Sequence, residues 1–195
     1  FVRGDDDGRG LRQGLLTIAE NYPAAVLNTN LNLLSSHDVP RAITALIDPT
    51  DGDRDELARR LSAMTPEQLV LGKERFKLAS FLQFTLPGCP CVYYGDEAGM
   101  TGYRDPFNRQ YYPWDREDEL LQNHIRTLAH LRNDSQVLKR GDLQVLAAGN
   151  GSITFRRTLG QQRLWIRCGT ACGPVPDGQV LFGGPDEAMC VMQEA

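Results

Sequence analysis

Leu31-Asn32-Leu33-Leu34-Ser35-Ser36-His37-Asp38 is the stretch on which the fold turns. Four mostly apolar residues stop abruptly at four polar ones. A run this short predicts a buried strand with a polar tip. The layout recurs downstream: Cys91-Val92-Tyr93-Tyr94 is β-prone, is bounded by Pro90 and Gly95, and ends in the polar Gly95-Asp96-Glu97. Helical patterns lie before, between and after the two strands. Leu11, Leu15, Ile18 and Ala19 mark a helix over residues 10–22, closed by Pro23, and a short helical stretch follows at 24–29. After turn chemistry at Asp48-Pro49-Thr50-Asp51-Gly52-Asp53 comes a small helix at 55–63. Thr65 then caps a long helix, with Pro66 in its first position and Gln68 completing a capping box, up to the stop at Pro87-Gly88. A further helix covers 117–132. Strands alternating with helices predict parallel βα units, in which chemistry collects at the carboxyl ends of the strands.

From Val137 the texture changes to short β-prone segments at 143–147, 152–156, 164–168 and 179–182, separated by Gly149-Asn150-Gly151, Gly160 and Gly183-Gly184-Pro185. This predicts an antiparallel β module, with the boundary near Asp134.

Composition bounds the function. With 195 residues, 41% hydrophobic and 24% charged, the chain can bury a core, so disorder is not expected. The most apolar stretch, 78–86, is interrupted by Ser80, Gln83 and Thr85, so no membrane span is expected. The net charge is −4 and the basic residues are dispersed, which argues against nucleic acid as a partner. Five Cys preclude a full set of intrachain bridges, and reduced thiols are expected. Cys89-Pro90-Cys91 and the Cys168 to Cys172 spacing lack the paired shell of a structural zinc site, and His37, His124 and His130 do not cluster with them. No metal or cofactor is therefore expected. Nothing near Phe1 has the pattern of a signal peptide, which gives a cytoplasmic expectation, or an extracellular one if a signal lies upstream.

The two polar tips put His37, Asp38, Asp96 and Glu97 on one rim. Glycoside hydrolysis uses two carboxylates separated by roughly 5 to 9.5 Å, which residues of one rim can supply. The alternative is that Asp38 caps its turn while Asp96 and Glu97 pair with arginines. Asp105-Pro106-Phe107-Asn108-Arg109 adds an acid, an amide and a guanidinium, groups that suit the fixed donors and acceptors of sugar hydroxyls. Tyr93, Tyr94, Tyr103, Phe107, Tyr111, Tyr112 and Trp114 accompany them and either offer faces for a sugar ring or belong to the core, the reading favoured for Tyr93.

Residues 33–41, Leu33-Leu34-Ser35-Ser36-His37-Asp38-Val39-Pro40-Arg41, resemble the strand-seven motif of the α-amylase superfamily of glycoside hydrolases, in its neopullulanase and cyclomaltodextrinase-like form. Residues 87–97 resemble the strand-eight motif, and Gly102 to Arg109 with Pro113-Trp114 resemble the loop after it. The resemblance covers residues 11–157. It implies an α/β fold comprising the C-terminal part of a (β/α)8 TIM barrel, about two βα units over 1–134, followed by a small antiparallel β-sandwich over 135–195. It makes Asp38 the transition-state-stabilising carboxylate, His37 its hydrogen-bonding neighbour, and Asp105 and Arg109 contacts to the next sugar. Asp96 and Glu97 become structural, which removes a pairing of Asp38 with Glu97. Val39 departs from the Thr common at its position.

The family's nucleophile Asp and acid/base Glu lie on the fourth and fifth barrel strands, and neither motif is found here. A complete barrel takes about 250 residues. The implied function is the C-terminal part of a retaining hydrolase of α-1,4 or α-1,6 linked glucan oligosaccharides, the chain alone having negligible turnover. Two alternatives stand beside it: a non-catalytic carbohydrate-binding or protein-interaction remnant, and a stable piece without function of its own. Self-association through an incomplete barrel flank is expected.

Overall fold

A computed structural model describes residues 1–170 and 174–195. Its elements, in chain order, are α1 (Arg9–Asn21), α2 (Ala24–Leu27), β1 (Leu31–Leu33), α3 (Ala42–Ile47), α4 (Arg54–Ser62), α5 (Pro66–Thr85), β2 (Cys89–Cys91), α6 (Glu119–Asp134), α7 (Gln136–Arg140), β3 (Asp142–Gly149), β4 (Ser152–Leu159), β5 (Gln162–Gly169), β6 (Gly178–Gly183) and β7 (Met189–Glu194). β1 pairs with β2, and the other five strands form one sheet in the order β3-β4-β5-β7-β6, with every adjacent pair antiparallel. The chain divides into two compact units. One comprises Phe1–Asn32, Phe81–Pro90 and Leu128–Ala195; the other comprises Leu33–Ser80 and Cys91–Thr127.

In the first unit the sheet is built from its central strands. Ile153 and Phe155 of β4, Ile166 and Cys168 of β5, and Val191 of β7 are fully buried. The antiparallel expectation holds, but the two layers of a sandwich do not form among the described residues. Helices take the covering role instead, with α1 against β3 and β4 and α7 against β4 and β5. Two buried arginines, neither in a salt bridge among the described residues, hydrogen-bond the carbonyls that end α5. Arg132 donates to Phe84 O at 2.7 Å and Leu86 O at 3.2 Å, and also to Gly88 O. Arg157 donates to Thr85 O at 2.6 Å and Gly141 O at 2.8 Å. A helix C-terminus carries partial negative charge and orphan carbonyls, so each guanidinium meets what the backbone lacks. Burial, with Arg132 nearby, lowers the Arg157 pKa to about 10.

The long helix α5 begins as its residues dictate. Thr65 N donates to Gln68 Oε1 at 2.9 Å while Gln68 N donates back to Thr65 Oγ1 at 3.3 Å, so the capping box closes in both directions. Its far end is pinned to β1 through Asn32, which donates to Pro87 O at 2.9 Å and accepts at its own carbonyl from Gln83 Nε2 at 2.7 Å. Gly88 is required at this closure, because its φ of 108° is left-handed and a Cβ would meet Asn32 Oδ1 at 2.5 Å.

The second unit packs Ala42, Ile43, Phe76 and Leu121 into a core, with Leu34, Leu46, Ile47 and Ile125 at its margin. Three expectations need correction here. β1 is not buried: Leu31 is 62% and Leu33 54% exposed, because β2 is its only sheet neighbour among the described residues. The second strand lies at Cys89–Cys91, and Tyr93 and Tyr94 fall in the turn beyond it. No helix is expected between the first strand tip and Asp48, yet α3 forms there, held by burial of Ile43 and Thr44 despite its six residues and lack of a side-chain cap. No helix of the described residues is long and apolar enough to cross a membrane. Cys172, considered above with Cys168, lies outside the described residues.

Candidate functional site

The chain leaves β1 through Leu34 and turns sharply from interior to surface. Ser35 is 1% exposed, whereas three residues later the Asp38 side chain is 69% and the His37 side chain 67% exposed. His37 Nε2 and Asp38 Oδ2 stand 3.2 Å apart, and the Asp38 amide donates to Ser36 Oγ at 3.1 Å. The hydrogen bond shapes the turn and leaves the carboxylate outside.

Beneath this tip lies a buried polar cluster. Arg41, fully buried, donates from Nη1 to Tyr94 O at 2.7 Å and Asp96 Oδ1 at 3.2 Å, and the other Asp96 oxygen accepts from Ser35 Oγ. The guanidinium carbon of Arg41 is 4.8 Å and 4.7 Å from the ring centroids of Tyr93 and Tyr94, which meet each other edge to face. Two aromatic faces thus flank a cation whose Nε and Nη2 have no acceptor among the described residues. Burial pushes the Asp96 carboxyl up to about 6, against the opposing pull of Ser35 and Arg41. Asp96 is 2% exposed and cannot face a ligand.

The loop after residue 100 returns to the tip. Arg41 N donates to Gly102 O at 2.9 Å and Gly102 N to Thr44 Oγ1 at 2.8 Å. A Cβ on Gly102 would meet Phe107 O at 2.1 Å, so only glycine lets the two arms of the loop touch. Beyond it, Arg109 Nε is 3.2 Å from Asp105 Oδ1 and 3.2 Å from His37 O. The side chains of Asp105 and Arg109 are about half exposed, at 59% and 48%. The four predicted site residues therefore lie in one unit, and Arg109 joins the two loops that carry them.

Asn108 departs from expectation. Its amide, grouped above with sugar-facing polar groups, is fully buried and donates to Ser36 O at 3.2 Å, His37 O at 2.9 Å and Val39 O at 2.9 Å. Arg41 was missed as well. Its position between Pro40 and the apolar Ala42-Ile43 was the available signal, since an arginine opening a buried helix needs an internal partner. Of the aromatics, Tyr103 is buried, while Tyr111 is 99% and Trp114 74% exposed. Tyr112 packs on Trp114 with ring centroids 4.6 Å apart. Among the described residues no three His, Cys, Asp or Glu gather in a way that could hold a metal ion.

A solvent-facing acid with an adjacent imidazole, beside an acid and guanidinium held at fixed spacing, can receive a polyhydroxylated ligand through multiple directional hydrogen bonds. The family model for the α-amylase catalytic domain matches residues 12–142. An amylopullulanase of Thermoanaerobacter thermohydrosulfuricus is 40% identical over 159 residues, covering 81% of this chain and 10% of the relative. A cyclomaltodextrinase of Geobacillus thermopakistaniensis is 31% identical, covering 85% of this chain and 25% of the relative. The chain thus spans a tenth to a quarter of the length of these curated relatives. Among solved structures, a cyclic α-maltosyl-(1→6)-maltose hydrolase from Arthrobacter globiformis aligns with a TM-score of 0.69 at 27% identity, over 98% of this chain and 38% of that one. The type III pullulan hydrolase from Thermococcus kodakarensis, at 22% identity and a TM-score of 0.74 over 99% of this chain and 34% of its own, shares the fold.

Proposed function

Since the chain belongs to the α-amylase catalytic-domain family, we propose that it is a C-terminal part of a retaining glycoside hydrolase acting on α-1,4 or α-1,6 linked glucan oligosaccharides. Residues 1–134 contribute the last βα units of a (β/α)8 barrel, and residues 135–195 form a C-terminal β domain of five strands opened by the short helix α7. Asp38 grips hydroxyls of the sugar at the cleavage point and steadies the positive charge that develops there. His37 hydrogen-bonds the same sugar and Asp38. Asp105 and Arg109 hold the next sugar toward the non-reducing end.

The observation that carries this reading is the pairing of solvent-facing His37 and Asp38 with solvent-facing Asp105 and Arg109 through the His37 carbonyl. A retaining mechanism needs a nucleophile and a separate proton donor, which the family places on preceding barrel strands. The 195-residue chain alone is therefore inactive. Exposed Leu31 and Leu33 on β1 support association through that flank.

The test is Asp38→Asn in the longer hydrolase polypeptide, assayed on maltooligosaccharides. Loss of a preorganised charge at the reacting centre is expected to lower kcat about a thousandfold. Wild-type turnover in this variant would contradict the assignment.

A further inference from the structure

Asp38 is exposed, and among the described residues its side chain is met only by His37, which is itself exposed. Something must hold the backbone beneath it, because charge stabilisation in a transition state depends on groups set to within fractions of an ångström. We propose that Asn108 is the positioning residue for Asp38, acting through the carbonyl oxygens of Ser36, His37 and Val39.

The three acceptors bracket Asp38 on both sides in sequence, at 3.2, 2.9 and 2.9 Å. Carbonyl oxygens only accept, so an amide facing three of them presents its nitrogen, and its two N–H bonds are shared among the three. Asn108 Oδ1 has no donor among the described residues, and the side chain is fully buried. This is a donor site by geometry, since no other neutral side chain of this size offers two N–H groups in one plane.

Asn108 is itself anchored. Gln110 Nε2 donates to Phe107 O at 3.0 Å and Thr101 O at 3.3 Å, Tyr94 Oη donates to Gln110 O at 2.6 Å, and the close approach at Gly102 fixes the opposite arm. The adjacent Arg109 adds its own bond to His37 O. One loop therefore sets both the proposed neighbouring-sugar contacts and the backbone of Asp38, so the spacing between the two sugar sites is built into residues 105–109.

This role rests on the one proposed for Asp38, and the test separates them. Asn108→Asp keeps the shape and replaces the donor by an acceptor facing three acceptors; Asn108→Ser keeps one donor. In the 195-residue chain, hydrogen exchange at the amides of Asp38 and Arg41, which donate to Ser36 Oγ and Gly102 O, is expected to accelerate at least about tenfold in Asn108→Asp and less in Asn108→Ser, with β4 and β5 unchanged. If Asn108→Asp fails to fold, Asn108→Ser carries the measurement. In the longer hydrolase, kcat on maltotetraose is expected to fall about a hundredfold with KM within about threefold. Unchanged exchange at the Asp38 and Arg41 amides in the folded variants would overturn the proposal. Activity lost in Asp38→Asn but kept in Asn108→Asp would overturn it alone, whereas full activity in Asp38→Asn would overturn the role of Asp38 and this one with it.

Discussion

Two acid–arginine pairs in the same unit have nearly the same chemistry and opposite surroundings. Arg41 and Asp96 stand 3.2 Å apart with side chains 0% and 3% exposed; Arg109 and Asp105 stand 3.2 Å apart with side chains 48% and 59% exposed. The buried pair has every favourable contact turned inward, to Ser35, the Tyr94 carbonyl and two aromatic faces. It fixes where the strand tips sit. The exposed pair is screened by water and adds little to stability, yet its free edges can meet a ligand. Burial separates a scaffold from the candidate site here, and residue type does not.

The comparison is broken most forcefully at Arg41. Arg41→Met leaves Asp96 buried without its counter-ion and is expected to destabilise the chain by about 3 to 5 kcal/mol, read from urea unfolding. Asp96 offers a sharper probe, because its sign can be worked out. Its folded pKa of about 6 lies above the unfolded 3.8, so its contribution to stability is full below about pH 3.8 and is lost as pH rises through 6. Asp96→Asn should remove a slope amounting to about 3 kcal/mol at most between pH 4 and 7, measured by unfolding free energies across that range. Whatever offset the substitution brings, retention of the whole slope would show that another group carries it. The smallest effect belongs to the exposed pair: Arg109→Ala is expected to change unfolding free energy by under about 1 kcal/mol, while raising KM for oligosaccharides in the longer hydrolase.

The sequence was most legible where local chemistry decides the outcome. Thr65, Pro66 and Gln68 announce the start of α5, and the reciprocal hydrogen bonds form as those residue types require. Gly-rich punctuation announced most of the antiparallel strands. β7 is not among the strands the pattern predicts, and it follows β6 in the chain yet inserts between β5 and β6, an order that no local pattern encodes. The apolar run at β1 shows what those side chains favour, whereas their exposure depends on which surfaces are present to cover them.

The rim showed the same division. His37, Asp38, Asp105 and Arg109 could be named from motif and spacing, and each lies on the surface of one unit. The sequence pattern groups Asn108 with the sugar-facing polar residues, because composition cannot tell an amide that meets a sugar from one that meets three carbonyls. Arg41 needed the fold, since its partner Asp96 is more than fifty residues away in sequence.

The most direct test of the division between scaffold and candidate site takes Asp38→Asn and Arg41→Met through one paired measurement in the proposed longer hydrolase, unfolding midpoint against kcat on maltooligosaccharides. Asp38→Asn is predicted to keep the wild-type midpoint and lose about a thousandfold in kcat, whereas Arg41→Met loses stability first. An Asp38→Asn variant that keeps its turnover, or loses it only in step with its midpoint, would contradict the account.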